Sequence, residues 1–226
     1  MCGRVTVRTP PKALAEALGL IAEGGLPEVL RFNVAPSAWL PAVLDAKPDV
    51  LSPLRWGLVP HWAEDASISQ SLANARAETA AQRRAFRDAL RARRCLILVD
   101  GFYEWRREGK RRRAFHFERA DGAPLAFAGL WEEWRGAPGA PLRTCTVLTC
   151  AANETMAALH DRMPAILERP DWSRWLAAGA APEELLVPAA KGVLTLRAVS
   201  SRVNDARNEG PLCLGPPEVE PQLQLF

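Results

Sequence analysis

Proline is the residue that most restricts what this chain can fold into. The 226 residues include 19 prolines, spread along the whole sequence. A proline inside a helix removes a backbone hydrogen bond and clashes with the preceding turn. A bundle of long helices is therefore disfavoured, and many short strands and loops are favoured. With 48% hydrophobic and 24% charged residues, the chain has the composition of a soluble globular protein with a sizeable core.

Several classes of protein are disfavoured by the same sequence. No apolar run approaches the roughly 20 residues that cross a bilayer, and residues 1–20 lack the apolar centre of a signal peptide. An odd number of irregularly spaced cysteines argues against a disulfide scaffold and favours a reducing, cytoplasmic location. Cys145 and Cys150, with Cys95 and His116, do not have the close pairs of a zinc site. We expect no metal and no cofactor.

The hydrophobic pattern predicts one α+β domain over residues 1–226, mostly antiparallel, with residues from about 208 to 226 as a loosely structured tail. The clearest element is a hairpin of Phe102–Arg106 and Ala114–Arg119 around Gly109. Other strands are predicted at 39–44, 50–59, 95–99, 125–130, 143–149 and 193–199, the second at an edge or bulge because of Pro53. Helices are predicted from Pro10–Pro11 to Ile21 and at 79–94, 153–159 and 171–176.

Positive charge is concentrated although the net charge is only +3. Residues 83–113 hold 12 of the 29 lysines and arginines and only four acidic residues. This basic cluster is typical either of a phosphate-binding surface or of a solvated helix face followed by an exposed turn. The eight tryptophans are either core residues or platforms on which unpaired bases stack.

The chain begins Met1-Cys2-Gly3-Arg4, and a small second residue normally permits removal of the initiator Met. Cys2 would then carry an amine, with a pKa near 8, and a thiol on adjacent carbons. Such a pair can attack an aldehyde through nitrogen to give a Schiff base, which the sulfur closes into a thiazolidine ring. Alternatively, Cys2 is merely the residue that follows Met1.

Six short sequence segments, which occur in order along the chain, match the motifs of one protein family. They are Met1–Arg4, Arg31–Pro36, Arg55–Trp62, Asn74–Thr79, Asp100–Trp105 and Leu159–Pro164, with a weaker match at Val199–Asn204. Together they resemble the SOS-response-associated peptidase (SRAP) family, the abasic-site processing proteins that crosslink to DNA. The Met-Cys-Gly start is also found in class II glutamine amidotransferases, but no glutamine-binding or oxyanion motif follows it here.

The resemblance implies a barrel-like core with short flanking helices and a set of catalytic residues. It matches Cys2 to the nucleophile, Glu104 to a catalytic glutamate that moves protons, and Asn74 to an active-site asparagine. His160 matches a histidine that would assist opening of the closed abasic sugar. Without the resemblance, Glu104 would be interpreted as a charged residue on a strand, and His160 as an imidazole bonded to Asp161 or to the backbone.

The resemblance also implies a set of DNA-binding residues. Arg4, Arg76 and Arg162 match positions that contact phosphates, for which the planar guanidinium is well suited. Asn33, Pro36 and Trp62 are expected to shape the DNA path, with Trp62 stacking on a base. The position after Trp62 is often aromatic in relatives and is Ala63 here, which predicts a weaker wedge between bases.

The expected function is an abasic-site sensor of the DNA damage response, which forms a covalent thiazolidine with the sugar aldehyde in single-stranded DNA. Abasic-site lyase and self-peptidase activities are implied as well. The expected partner is single-stranded DNA, for a monomer in the cytoplasm and at the nucleoid, with no membrane. The alternatives are an amidotransferase-like enzyme with an N-terminal nucleophile and a non-catalytic single-strand binder.

Overall fold

Strands dominate the fold, and no long helix is present among the described residues, as the prolines predict. A computed structural model of the protein describes residues 3–109, 111–136 and 139–218. The strands are β1 (Val5–Val7), β2 (Ile21–Ala22), β3 (Arg31–Val34), β4 (Trp39–Leu44), β5 (Lys47–Trp56), β6 (Asn74–Arg76), β7 (Arg94–Val99), β8 (Gly101–Glu108), β9 (Arg111–Arg119), β10 (Leu125–Trp134), β11 (Leu142–Ala151), β12 (Arg162–Pro164) and β13 (Leu194–Ala198).

The helices are short and lie outside the sheets. They are α1 (Pro11–Leu18), α2 (Ala77–Ala80), α3 (Arg84–Ala92), α4 (Glu154–Ala157) and α5 (Trp172–Leu176), with 3-10 turns at Ala66–Ser71, Arg169–Asp171, Glu183–Leu185, Ser201–Asn204 and Pro211–Leu214. The predicted helix at 79–94 is wrong in extent. Arg83 takes an extended conformation (φ −80°, ψ 124°), which interrupts the helical hydrogen bonds between α2 and α3.

One sheet closes into a five-stranded barrel. Its ring runs β11, β10, β7, β4, β5 and back to β11, and the closing contact of β5 with β11 is parallel, at Arg55 and Trp56. Pro53 lies opposite Pro41 of β4, while the other edge of β5 pairs with β2 at Val50–Leu51 and with β11 only from Arg55. Pro53 thus falls in the unpaired gap between two partners, where its missing N–H costs no hydrogen bond.

The second sheet carries the start of the chain at its centre. Its order is β13, β9, β8, β1 and β3, all antiparallel. Gly101 of β8 lies opposite Thr6, and a Cβ placed there would approach the backbone oxygen of Phe117 to 2.5 Å. The absence of a side chain at Gly101 therefore lets β8 and β9 approach closely beside β1.

Aromatic rings join the two sheets. Phe102 of β8 stacks on Phe117 of β9 at 4.9 Å between ring centroids and meets Phe127 of the barrel edge-on at 5.8 Å. His116 is fully buried beside this contact, with Nε2 3.2 Å from the Thr6 hydroxyl. Burial lowers the pKa of His116 to about 3, so this histidine is a neutral core residue.

Arg94 belongs to the core rather than to a DNA-binding surface. It is 1% exposed, and its guanidinium donates to backbone carbonyls, among them those of Trp175 (2.7 Å) and Leu90 (2.9 Å). A buried guanidinium whose N–H groups are bonded to backbone carbonyls is not available to bind a phosphate. The basic cluster predicted from the sequence therefore includes a structural arginine, and its Lys110 lies outside the described residues.

Residues 208–218 pack against the second sheet instead of forming a loose tail. Cys213 is fully buried, and Glu209 accepts hydrogen bonds from Arg31 Nε (2.9 Å) and from the backbone of Phe32. Glu218 accepts from the Ser200 hydroxyl (2.6 Å). The remaining tail residues, 219–226, lie outside the described residues.

Candidate active site

A cavity of about 820 Å³ opens where β1 begins. The Arg4 carbonyl still accepts from Tyr103 N–H (2.9 Å), but β1 itself starts at Val5, so the edge of β8 beyond Tyr103 faces the cavity. The lining residues come from four separate parts of the chain: Gly3, Arg4, Glu104, Trp105, Arg107, Arg112, His160 and Asn204. Cys2 lies outside the described residues, and in the sequence it directly precedes Gly3, which lines the cavity.

Arg4 is held in place by a buried asparagine. Its Nη1 donates to Asn33 Oδ1 (2.6 Å) and to the Val203 carbonyl (3.0 Å). Asn33 is 2% exposed, and its amide donates in turn to the carbonyls of Asp205 and Asn208 (2.9 and 2.8 Å). Burial lowers the pKa of Arg4, so these acceptors compensate a charge that has lost hydration. The side chain of Asn33 thus binds and positions Arg4 within the protein.

Glu104 is the one carboxylate among the described residues that line the cavity. It lies on β8 opposite Phe115 and is 4% exposed, at a position set by the hairpin that the sequence predicts. Three arginines, Arg4, Arg107 and Arg112, share the wall with it. A carboxylate in such surroundings can accept and return a proton while the cations attract an anionic ligand.

His160 has a partner for each protonation state of its Nδ1. The backbone N–H of Arg162 donates to Nδ1 over 2.9 Å, and Asp161 Oδ1 lies 2.8 Å from the same nitrogen. An unprotonated Nδ1 accepts from Arg162, whereas a protonated Nδ1 donates to Asp161. In the neutral ring with Nδ1 as acceptor, the proton sits on Nε2. The side chain is 29% exposed and can exchange that proton with a ligand in the cavity.

Asn74, Arg76 and Arg162 lie on neighbouring strands but are not among the described residues that line the cavity. Asn74 and Arg76 are the ends of β6, which pairs in parallel with Val147–Thr149 of β11. Arg162 binds both carboxylate oxygens of Glu78 (2.6 and 2.8 Å), and its side chain is only 11% exposed. Of the two arginines, Arg76 is exposed, and Arg162 is occupied by an internal ion pair.

Pro36 and Trp62 lie apart from the cavity lining. Pro36 is half-buried in the turn between β3 and β4. Trp62 follows β5, lines a second cavity of about 450 Å³, and has the guanidinium of Arg84 4.1 Å above its ring. That distance is typical of a cation–π contact, so Arg84 covers one face of the Trp62 ring. The next residue, Ala63, adds no second aromatic ring beside it.

Comparison with known proteins places this arrangement in a family. Residues 1–206 match the family model described as SOS response associated peptidase (SRAP). The chain belongs to the SRAP family. Among curated SRAP relatives, the abasic site processing protein YoaM of Bacillus subtilis is 41% identical over 78% of this chain and 81% of its own. YoqW of the same organism is 37% identical over 93% and 97%, and HMCES of Pongo abelii is 30% identical over 100% and 78%.

Solved structures show the same SRAP fold. A protein from Bacteroides thetaiotaomicron superimposes with a TM-score of 0.84 at 21% identity, over 95% of this chain and 99% of its own. A protein from Bordetella bronchiseptica gives 0.77 at 26% identity, over 88% and 100%. The prediction of an α+β fold with a barrel-like core is confirmed.

Two of the lining residues that were not predicted as site residues of this SRAP chain are bonded to each other. Trp105 Nε1 donates to Asn204 Oδ1 (2.6 Å), and the guanidinium of Arg4 lies 5.9 Å from the Trp105 ring. Both are the last residues of matched segments, Asp100–Trp105 and Val199–Asn204, so the motifs contained a signal. The bond fixes the segment that follows β13 against the rim of the cavity.

Within the described ranges, no three His, Cys, Asp or Glu side chains come together as a metal ion would require. Across the same residues, no helix has the length and apolar character to span a membrane.

Proposed function

We propose that this chain recognises abasic sites in single-stranded DNA and bonds to them covalently through Cys2. The observation that carries the proposal is the cavity at the start of β1, whose wall contains Gly3, Glu104 and His160. Cys2 is the residue before Gly3, so a nucleophile at that position is covalently attached to the cavity wall. The relatives named abasic site processing proteins supply the class of substrate.

The covalent step begins at nitrogen and ends at sulfur. After removal of Met1, the neutral amine of Cys2 adds to the aldehyde carbon of the opened sugar, and loss of one water gives a Schiff base. The thiol then adds across the C=N bond: sulfur bonds to the carbon, nitrogen takes the proton, and a thiazolidine forms. Glu104 is suited to carry these protons because it is a carboxylate in the described lining of the cavity.

His160 has a separate task in this scheme. The abasic sugar is mostly a closed hemiacetal, so its hydroxyl must lose a proton and its ring oxygen must gain one before the aldehyde appears. A ring whose Nδ1 has both an N–H donor and a carboxylate as neighbours can pass a proton in either direction. Asn74 would orient the sugar or Cys2 without titrating.

The DNA strand is proposed to follow the basic residues around the cavity. Arg4 and Arg76 are proposed to contact phosphates, as is Arg162 once it is released from Glu78. Asn33 and Pro36 are proposed to shape the strand's path, Asn33 through its hold on Arg4, and Trp62 to stack on a base. The protein would act as a monomer in the cytoplasm, where the nucleoid supplies this substrate.

A denaturing gel tests the covalent step. The protein is incubated with a labelled oligonucleotide that bears one abasic site, and wild type should give a slower band. Cys2→Ala and Cys2→Ser keep the N-terminal amine but lack the thiol, so without reductant they should give no band, and they should give one only when borohydride reduces the Schiff base. An oligonucleotide with a tetrahydrofuran analogue, which has no aldehyde, is the substrate control. A band of equal strength with Cys2→Ala would refute the proposal.

Two side activities are part of the same proposal. The Schiff base acidifies the adjacent sugar carbon, so β-elimination can cleave the strand, and a gel at intermediate times detects the shortened product. Self-removal of Met1 would make the protein a peptidase acting on itself. Intact-mass measurement of protein synthesised without an aminopeptidase tests this activity, since Met1 should then be lost from wild type and retained in Glu104→Ala.

A further inference from the structure

The tip of the β8–β9 hairpin carries two pairs of arginines on opposite faces. Arg106 lies directly opposite Arg113, and Arg107 lies directly opposite Arg112. Side chains of successive strand residues point to opposite faces of a sheet. The two pairs therefore have the same composition and register but different surroundings.

One pair is bonded to a carboxylate within the hairpin. Glu108 accepts from Arg106 Nε (2.9 Å) and lies 3.5 Å from Arg113 Nε. The Arg106 guanidinium also lies 5.1 Å from the Phe115 ring. The hydrogen bond from Arg106 lowers the pKa of Glu108, as expected for a carboxylate bonded to a cation. These contacts are sufficient to explain the Arg106–Arg113 pair as structural.

The other pair lines the cavity. Arg107 and Arg112 both line it, and in the described part of the chain neither has an ion pair or hydrogen bond of its own side chain. Like charges directly opposite one another destabilise an antiparallel pair of strands. The unneutralised pair therefore costs stability, which a bound anion would recover.

We propose that Arg107 and Arg112 together grip one backbone phosphate of the DNA strand beside the lesion. The inference rests on the function proposed above and adds a phosphate site to it. Opposed residues have Cβ atoms about 4.5–5.5 Å apart, so two guanidinium groups can converge on the oxygens of one phosphate. Arg4 is bonded to Asn33 and Val203, whereas Arg107 and Arg112 have their donors available.

Salt dependence of binding to an undamaged single-stranded oligonucleotide tests the pair without the covalent step. The variants are R107Q/R112Q and the matched control R106Q/R113Q, which removes the same charge from the same hairpin. Each phosphate that the protein neutralises contributes about 0.7 to the slope of log K against log salt. Because the pair neutralises one phosphate, R107Q/R112Q should lower the slope by about 0.7, the control should leave it unchanged, and R107K/R112K should restore it.

A second measurement locates the contact. Methylphosphonate substitution, which removes the charge of one phosphate, is moved along the oligonucleotide relative to the abasic site. Wild type and R106Q/R113Q should lose affinity at one position at which R107Q/R112Q loses none. Equal losses for both double variants would overturn the inference alone, since net charge would then explain them. Wild type that binds single strands with no salt dependence would overturn the proposed function as well.

Discussion

Replacement of Asn33 by alanine tests whether this residue serves the protein or the DNA. The substitution removes three hydrogen bonds from a site that is 2% exposed: one from Arg4 Nη1 and two to the carbonyls of Asp205 and Asn208. The bond to the charged guanidinium is worth about 1.5–3 kcal/mol and each neutral one about 1 kcal/mol. The free energy of unfolding should therefore fall by about 3–5 kcal/mol.

Urea unfolding followed by circular dichroism measures this loss. With an m-value of about 2 kcal/mol per molar urea, the midpoint should fall by about 2 M. Asn208→Ala is the control, because the Asn208 side chain makes one bond, to the Arg202 carbonyl (2.8 Å), at the surface. Its effect should stay below about 1 kcal/mol.

The result that would refute this reasoning is specific. If Asn33→Ala unfolds at the same urea concentration as wild type but binds single-stranded DNA less tightly, Asn33 contacts DNA directly. In that case the direct contact implied by the motif is right, and the role derived from its burial is wrong. A loss of stability accompanied by weaker binding would instead mean that Asn33 acts through Arg4.

Three further predictions concern His116, Gly101 and Glu78. The pKa of His116 is about 3 in the folded protein and near 6.5 in the unfolded chain, so its contribution to stability is complete above pH 6.5 and falls by about 2 kcal/mol on acidification to pH 5. His116→Gln should flatten the dependence of the free energy of unfolding on pH in this range, measured by urea unfolding, and an unchanged slope would assign the pH dependence to other groups. Gly101→Ala should cost about 3 kcal/mol by thermal unfolding, since its Cβ would meet the Phe117 backbone, and a wild-type melting curve would contradict the close approach. Glu78→Gln should change stability by less than about 1 kcal/mol yet free Arg162 and raise the salt slope of single-strand binding by about 0.7; an equal slope would mean that Arg162 takes no phosphate.

Most of the elements could be predicted from local pattern, because each depends on residues close in sequence. The apolar run Cys95–Val99 is buried throughout as part of β7, and the hairpin around Gly109 has the predicted pairing and is longer at the tip. The prediction of one helix at 79–94 was wrong because the backbone is extended at Arg83, and no proline or glycine at that position indicates a break. The packing of residues 208–218 was not predicted because their partners, Arg31 and Phe32, are far away in the sequence.

Charge shows most clearly what a linear sequence leaves undetermined. Residues 83–113 form one basic run in the sequence, yet Arg94 is buried among carbonyls, Arg106 and Arg113 are paired with Glu108, and Arg107 and Arg112 face the cavity. Strand alternation predicts which arginines share a face. Which face meets carboxylates, carbonyls or an open cavity depends on elements distant in sequence.

The sequence by itself determined the family and the class of fold, because motif order and periodicity are local properties. Only the tertiary structure decided that Gly3, Glu104, His160 and Asn204 share one cavity, since strand order and register bring them together. It also decided that Asn33 supports Arg4 from inside and that Arg162 is bound to Glu78. An arginine or an asparagine has the same donors everywhere, and its role is set by the partners that the fold places around it.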